Sequence, residues 1–317
     1  MIESPPPVYV ERVDFSIVPP ALLADATLYL FPIPSDIVNQ QHLCETILNI
    51  PSEGACDFRA VQPFVLLIFA RYEKVQKINT PESNYSYPPQ PNDGYARFHA
   101  AGVSVLIAPS LPKSDEPQII LFPYCTFVDH GASIAGTREL QGWSTETAEI
   151  QIADDDPSKG FTFVLTCPAI KRFGPHSIAR PERLIHVRNV PEAARGKQVG
   201  SPLRHHLSEM WTRALASENQ RPLRLALISL KQFPDVAHPA RACYQAGVQT
   251  IAESFRNEDH RWVALPGKFA LEIETADSHP LVAQLGLDVE QFSGLDGFCL
   301  RSAQLRVNAG KELWRAP

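Results

Sequence analysis

Residues 122–143 read FPYCTFVDHGASIAGTRELQGW and combine aromatic and β-branched residues with a run of small ones. The segments around this stretch are short, rich in β-forming residues, and bounded by Pro, Gly or Asp, which is typical of strands joined by turns. The sequence therefore predicts a run of antiparallel strands here. Its members are Gly102–Ala108, Ile119–Phe122, Ala132–Ala135, Thr147–Ile152 and Phe161–Thr166.

More strands are predicted towards both termini. Phe64–Ala70 is an uninterrupted apolar run of seven residues, and such a run indicates a buried, central strand. Thr80–Asp93 contains four prolines and is predicted to be a loop, long enough for a lid or a subunit contact. The remaining predicted strands are Ala26–Phe31, Leu223–Leu230, Lys268–Glu274 and Phe298–Val307.

Signals for the start of a helix occur at three places. Ser35-Asp36 precedes apolar residues at roughly helical spacing, Ser201-Pro202 opens a periodic segment to Leu215, and His238-Pro239 opens one to Ile251. There is no internal repeat and no break in composition. We therefore predict one α+β domain over residues 1–317, built on an antiparallel sheet or barrel with a few peripheral helices.

Composition excludes several classes of protein. Its 44% hydrophobic and 20% charged residues indicate a globular chain, neither collagen-like nor disordered. The formal net charge of −6 lacks the positive excess that attracts phosphate backbones, so nucleic acid is not expected as a partner. No secretory signal and no run of 18 apolar residues is found, so we expect no membrane span.

Common cofactor and metal motifs are absent. The six cysteines form no Cys-x-x-Cys pair and have no histidine at metal spacing, so we interpret them as reduced core residues of a cytoplasmic protein. His205-His206 with Glu209, and the acidic run Asp154–Asp156, fit a solvated helix face and a solvated turn better than metal sites. No phosphate loop, dinucleotide-binding motif or nucleophile elbow occurs, and no metal or cofactor is expected.

Residues 122–143 resemble the signature of the acetoacetate decarboxylase-like superfamily. In that signature a Tyr-containing strand and a small-residue strand lead to Gly-Arg-Glu and then to a Gly-aromatic-Pro-Lys turn. Segments 26–32, 43–49, 230–245 and 298–314 also resemble the longer members, so the resemblance covers the chain from about residue 10 to its end. It implies a cone-like antiparallel β-barrel around an apolar cavity, a small-molecule substrate, and a homo-oligomer.

The reactive turn departs from the family pattern. In the decarboxylases the first lysine of Pro-Lys-Lys forms a Schiff base with the substrate ketone. The corresponding positions here are Ser144, Thr145 and Glu146, and a threonine hydroxyl cannot form an iminium. The glutamate that the family usually carries before the signature is also missing from Gly94–His99. Both departures predict that Schiff-base decarboxylation has been abandoned.

The polar and aromatic residues of the signature strands are the candidates for a replacement chemistry. His99 and His130 can exchange protons near neutral pH, Glu146 can act as a base, and Arg97 can hold an oxyanion, so these four are the predicted catalytic residues. Strand alternation allows only about half of all the candidates to face one cavity. The predicted substrate-binding residues are Tyr124, Arg138, Glu139, Trp143 and Thr145.

Three functions remain open at this stage. The first is a lyase, dehydratase or cyclase of secondary metabolism that acts noncovalently on a keto, enol or polyketide-like molecule. The second is a 3-keto acid decarboxylase with a displaced lysine, Lys231 or else Lys171. The third is a pseudoenzyme that binds a ligand without catalysis. Arg138 and Glu139 could in all three cases form a buried, structural ion pair.

Overall fold

The computed structural model describes residues 19–77, 96–110, 119–153, 160–190, 223–254, 261–288 and 292–316, and these are mostly β-strand with few helices. The strands are β1 Ala21–Pro34, β2 Phe58–Lys77, β3 Ala96–Pro109, β4 Ile119–Val128, β5 Thr145–Thr147, β6 Glu149–Ala153, β7 Thr162–Ala169, β8 Arg180–Val190, β9 Leu223–Pro234, β10 Ala242–Ser254, β11 Arg261–Ala264, β12 Lys268–Ile273, β13 Ser293–Leu295, β14 Phe298–Val307 and β15 Lys311–Arg315. The helices are α1 Ile37–Cys44, α2 Gly131–Ala135 and α3 Leu281–Leu285; π-helical turns Glu45–Asn49 and Gly136–Leu140 extend the first two, and a 3-10 turn Ile50–Ser52 follows the first. None of these helices is long and apolar enough to cross a membrane.

The larger sheet closes on itself. Its strands follow the order β11-β14-β1-β2-β3-β4-β9-β10-β15, with β5 added beside β4, and β10 also pairs with β14 to complete a ring. All pairs are antiparallel except β4 with β9 and β4 with β5, which are parallel. The prediction of a wholly antiparallel sheet is therefore wrong at these two pairs. The chain crosses to a second sheet after β5 and returns before β9, and such a crossover is what a parallel pair requires.

The second sheet has five antiparallel strands in the order β13-β12-β8-β7-β6. Aromatic side chains join it to the ring. The Phe163 ring on β7 lies 4.9 Å from that of Tyr29, 5.1 Å from Phe31 and 5.3 Å from Phe69, and Phe269 on β12 lies 5.2 Å from Phe31. All five side chains are buried. Tilted and edge-on ring contacts of this kind hold two layers in one relative position.

The middle of strand β2, Phe64–Ala70, is largely buried on both faces. Leu67 and Phe69 belong to the core between the two sheets, whereas Phe64 and Leu66 pack in a second core with residues of β1, β3, β4 and β14. This confirms the central strand that the run Phe64–Ala70 predicts. Phe64–Ala70 is apolar at every position because neither face of this part of the strand meets water.

The other predicted strands outside the signature are confirmed except Thr147–Ile152, which is divided between the end of β5 in the ring and β6 in the second sheet. The helix that follows Asp36 is confirmed as well. The Asp36 side chain accepts a hydrogen bond of 2.8 Å from the Val38 amide, as an N-cap does. Ile37 and Val38 are exposed, however, so this helix turns a different face to the core than the sequence suggests. Three predicted segments lie outside the described residues: the helix at Ser201, the loop 80–93 and the run Asp154–Asp156.

Two predictions of local structure are wrong. Ala132–Ala135 belongs to helix α2 instead of a strand, which agrees with the high helix propensity of alanine. The segment after His238 forms β10 instead of a helix, because pairing with β9 buries Ala246, Val248 and Thr250 on alternate positions. At the hairpin turn the Asp235 carboxylate accepts hydrogen bonds from two following amides, which starts a turn and not a helix.

Gly142 allows the chain to pass close to strand β9 just before β5 begins. The Ser229 hydroxyl on β9 donates to the Gln141 carbonyl, and Gly142, with φ of +74°, lies directly against the backbone of Lys231. A Cβ atom at Gly142 would stand 2.6 Å from the Lys231 Cα atom. Only glycine fits both the left-handed backbone and the close approach. This contact sets where residues 144–146 begin.

We expect Phe163→Ala to lower the free energy of unfolding by about 3–5 kcal/mol, because it removes the ring that contacts both sheets. Denaturant titration followed by fluorescence measures the change. Phe173→Ala is the matched control, since Phe173 is 63% exposed and should change stability by less than about 0.5 kcal/mol. Equal losses in the two variants would contradict the role of Phe163.

The Gly142 contact is tested against another glycine with positive φ. Gly54 has φ of +90°, and a Cβ atom added there would meet nothing within 4 Å, so Gly54→Ala should cost only the left-handed backbone strain of about 1–2 kcal/mol. Gly142→Ala should cost about 1–3 kcal/mol more, because the methyl group meets the β9 backbone. The same denaturant titration compares them. Equal losses of stability in the two variants would show that the contact between Gly142 and the Lys231 backbone does not require a glycine.

Candidate functional site

A cavity of about 1230 Å³ lies beside the signature stretch. Its wall is formed by residues 122–125 of β4, residues 142–146 around the start of β5, the end of β9 with the turn to β10, and residues 278–281 with Gln284. Small-molecule sites commonly have this size or somewhat less. The cavity therefore has room for a metabolite-sized ligand.

Six of the nine residues predicted for the site line this cavity, and three do not. Glu146 is the one predicted catalytic residue in the wall, and it is joined by all five predicted substrate-binding residues: Tyr124, Arg138, Glu139, Trp143 and Thr145. Arg97, His99 and His130 are absent from the wall. The predicted residues that the structure brings together are therefore mainly those of residues 124–146.

Glu146 has a partner that the sequence did not indicate. Its Oε2 atom lies 3.2 Å from Nε2 of His279, a buried side chain that follows β12. The Glu146 side chain is 51% exposed, so the carboxylate reaches the cavity while one of its oxygens is held. A carboxylate fixed by an imidazole at a cavity wall is an arrangement suited to taking up and returning a proton.

The backbone next to β7 holds His279 in place. Ser278 Oγ accepts a hydrogen bond of 2.9 Å from the Ile170 amide and lies 2.9 Å from Nδ1 of His279. We assign the Ser278 hydroxyl as donor to Nδ1, which leaves the ring proton on Nε2, directed at Glu146. The Ile170 carbonyl is 3.5 Å from the same hydroxyl, so Nδ1 is the nearer acceptor, and in this assignment the Glu146 carboxylate accepts from Nε2.

Apolar groups and thiols surround the pair. The ring of Phe127 is 5.9 Å from that of His279, and the Cys167 Sγ atom is 4.0 Å from His279 Nε2. Burial raises the pKa of Cys167 to about 11 and that of Cys125 to about 12, and the Glu146 charge contributes to both increases. Both thiols are therefore neutral near pH 7 and do not supply a nucleophile.

Arg138 and Glu139 are exposed, so the buried ion pair considered for them is not present. They follow α2 on a π-helical turn and line the cavity instead. The Tyr124 hydroxyl donates to Oε1 of Gln284, which ties β4 to α3 across the cavity. Burial raises the pKa of Tyr124 to about 12, so this hydroxyl keeps its proton at neutral pH.

The three remaining candidates lie around β3, away from the cavity. Arg97 forms an ion pair of 2.9 Å with Glu73, and the His99 ring lies 2.7 Å from the Asp129 carboxylate. Phe98 points to the opposite face of β3, into an apolar core, and the His130 ring is 6.4 Å from it. The structure therefore does not bring these side chains together with Glu146.

Neither lysine considered for imine chemistry lines the cavity. Lys171 is ion-paired with Glu182 at 3.0 Å and Glu274 at 2.5 Å, and the hydrogen bonds to these carboxylates raise its pKa. The Lys231 ammonium lies 5.5 Å and 5.3 Å from the ring centroids of Phe233 and Tyr244. Burial lowers the pKa of Lys231, which makes it the more nucleophilic of the two.

Across the part of the chain that the structure describes, no three His, Cys, Asp or Glu side chains are placed to hold a metal ion. The six cysteines all lie in the described ranges, and none of them is in a disulfide. Cys44, Cys167 and Cys299 are buried as expected, whereas Cys243 is exposed, so the prediction of a core cysteine is wrong there. The reason is its position at the start of β10, next to the hairpin turn.

His279 and Ser278 carry no signal that sequence reasoning could use. They stand in the polar turn Asp277-Ser278-His279-Pro280, which is typical of an ordinary loop. Their partners Glu146 and Ile170 are distant in the chain. Only the packing of the two sheets brings them together.

No protein-family model and no curated protein sequence matches the chain. Solved structures do match its fold. Acetoacetate decarboxylase from Legionella pneumophila aligns with a TM-score of 0.57 and 15% identity over 99% of this chain and 94% of that one. The enduracididine biosynthesis enzyme MppR aligns with a TM-score of 0.55 and 10% identity over 95% of this chain and 90% of that one. An acetoacetate decarboxylase-like enzyme from Sphingomonas wittichii aligns with a TM-score of 0.51 and 13% identity over 95% of this chain and 94% of that one. The chain has the acetoacetate decarboxylase-like fold.

Proposed function

We propose that this chain is an enzyme for small carbonyl compounds in which Glu146 and His279 perform noncovalent acid/base chemistry on a keto or enol substrate. The observation that carries the proposal is the 3.2 Å contact between the two side chains at the wall of a ligand-sized cavity. In this proposal the ring of strands is the cone-like barrel of the scaffold. A cytoplasmic homo-oligomer stays a prediction of the sequence.

The proton chemistry follows from the geometry of the pair. Glu146 removes a proton from the carbon next to a substrate carbonyl; the electron pair of that C–H bond forms a C=C bond, and the π pair of the carbonyl moves to its oxygen to give an enolate. His279 Nε2–H donates to one oxygen of the Glu146 carboxylate and orients it before the step. If the substrate carries a hydroxyl or another leaving group on the next carbon, the enolate re-forms the carbonyl and expels that group, which takes the proton from Glu146 and departs as water or as the protonated leaving group; this completes a dehydration or lyase step. In a cyclisation the enolate carbon instead attacks a second carbonyl of the substrate, and Glu146 returns the proton to the new alkoxide.

The composition of the wall supports a noncovalent route. None of the described residues that line the cavity is a lysine, so no amine is in position to form an iminium there. The thiol of Cys125 in the wall and that of Cys167 beside His279 are held neutral by burial. A half-exposed carboxylate, Glu146, is left as the group best placed to react.

The structural neighbours support a carbonyl substrate. MppR has been solved with pyruvate and with the condensation product of pyruvate and imidazole 4-carboxaldehyde. Both ligands contain a carbonyl group or derive from one, on the same fold as this chain. Pyruvate is therefore a sensible first probe of the cavity, although identity of 10–11% transfers no reaction.

Enolisation can be measured without knowledge of the product. The protein is incubated in D₂O with pyruvate and with short 3-keto acids, and loss of the proton signals next to the carbonyl is followed by NMR. We expect exchange above the buffer rate, and a decrease of about 10²–10⁴-fold in Glu146→Gln because the base is removed. Glu149→Gln is the matched control, an exposed glutamate three residues further on. Wild-type exchange no faster than buffer, or equal exchange in Glu146→Gln, would contradict the proposal and favour a ligand-binding pseudoenzyme.

A displaced Schiff-base lysine is the second candidate function, because burial lowers the pKa of Lys231. Treatment with 3-keto acids and borohydride, followed by intact-protein mass and head-space carbon dioxide, distinguishes it. We expect no trapped adduct and no carbon dioxide, since the ammonium lies against the faces of Phe233 and Tyr244 and outside the cavity wall. An adduct that disappears in Lys231→Ala and persists in Lys171→Ala would overturn the noncovalent proposal.

A further inference from the structure

Two arginines line the cavity, and neither is paired within the part of the chain that the structure describes. Arg138 lies on the π-helical turn that follows α2, and Arg241 closes the hairpin turn between β9 and β10. Both residues are exposed, and no hydrogen bond or ion pair joins either guanidinium to a described residue. A guanidinium carries five donors and a permanent charge, so each of the two is able to bind an anion.

The acidic side chains of the wall and of the hairpin are engaged by other groups. Glu146 contacts His279, and the Asp235 carboxylate accepts hydrogen bonds from two amides of its own turn. Burial lowers the pKa of Lys231, and the Glu139 charge opposes that decrease, which places Glu139 near the Lys231 ammonium. The two cavity arginines are therefore not neutralised by a carboxylate of the wall.

Backbone contacts hold both arginines at the cavity. The Asp235 amide donates to the Arg241 carbonyl over 2.8 Å, which closes the hairpin turn. The Trp143 amide donates to the Thr137 carbonyl over 3.0 Å, which closes the turn that carries Arg138. Both side chains thus start from a backbone with a defined path beside the cavity. Two cations from separate elements of the fold are brought to one wall in this way.

Apolar groups line another part of the wall. Those that are not buried there include Ile47, Trp143, Leu230, Phe233 and Pro239. Sites of about 300–1,000 Å³ hold drug-sized ligands, and this cavity of about 1230 Å³ is larger. Pyruvate would fill only a small part of it and would leave these apolar groups in water. A ligand that covers them has to carry an apolar body as well as polar groups.

We infer that Arg138 and Arg241 bind the carboxylate of an amphipathic keto acid, whose apolar body packs against the apolar part of the wall. A planar guanidinium binds a carboxylate through two parallel hydrogen bonds, and the apolar body gains affinity by leaving water. The inference rests on the proposed function in taking this cavity as the substrate site. It deepens that function by naming the substrate class and the two residues that select it.

Three probes separate the two parts of the inference. 2-Oxo-4-phenylbutanoate has a keto acid group and an apolar body, 4-phenyl-2-butanone has a methyl group in place of the carboxylate, and pyruvate lacks the phenyl group. Calorimetry near pH 7 gives their dissociation constants. We expect 2-oxo-4-phenylbutanoate to bind at least about tenfold more tightly than either of the others. Raising the salt from about 50 to about 500 mM should weaken its binding and leave that of 4-phenyl-2-butanone nearly unchanged.

Arginine variants test the guanidiniums directly. Arg241→Gln and Arg138→Gln should each weaken the binding of 2-oxo-4-phenylbutanoate by about threefold to thirtyfold, because the carboxylate loses a charged partner. The binding of 4-phenyl-2-butanone should not change. Arg172→Gln is the matched control, an exposed arginine between β7 and β8 and outside the cavity wall, and it should leave both affinities unchanged. The midpoint of denaturant unfolding should stay the same in all three variants, since these are surface substitutions.

The same titrations of Glu146→Gln keep this inference separate from the enolisation proposal. Tight binding of 2-oxo-4-phenylbutanoate to this variant, together with no proton exchange in the wild type, would contradict the proposed reaction and support the binding site. Equal affinity for the keto acid and the ketone, equal affinity for pyruvate, or no binding of any probe to the wild type would overturn the inference. Unchanged binding in both Arg241→Gln and Arg138→Gln, or an equal loss in Arg172→Gln, would overturn it as well.

Discussion

The aromatic contact between the two sheets is the constraint on which the rest of the structure depends. Phe163 on β7 reaches three rings on β1 and β2, and Phe269 on β12 adds a further contact with Phe31. A ring of strands can bury only one face by closing on itself. The face of β1, β2 and β3 that carries Tyr29, Phe69 and Val103 is apolar as well, and it packs in one core with residues of the five-stranded sheet.

Covering that face also assembles the candidate site. Glu146 stands on β5, which pairs with the ring, whereas His279 follows β12 and is anchored beside β7 in the second sheet. The contact between Glu146 and His279 therefore spans the junction of the sheets. Glu146 lies on a strand of the ring, and His279 lies in a turn that the hydrogen bond between Ser278 and Ile170 ties to the end of β7.

Ser144, Thr145 and Glu146 stand where the resemblance predicts the lysine turn of the decarboxylases, and a threonine hydroxyl cannot form an iminium. In the structure Thr145 is buried, whereas the Glu146 carboxylate is half-exposed at the cavity and contacts His279. In the proposed function this carboxylate supplies general-base chemistry in place of imine formation.

Local patterns in the sequence determined the strands with a clear apolar code, such as β2, and the Asp36 cap. These features depend on near neighbours in the chain, and a resemblance at the signature identified the fold. The helix at Ala132–Ala135 agrees with the local helix propensity of its alanines. Tertiary structure alone decided that the chain after His238 is a strand and that His279 meets Glu146. Weak local preferences are overridden by strand pairing. Contacts between residues 133 positions apart leave no periodic trace in the sequence, because they are created only when the two sheets pack.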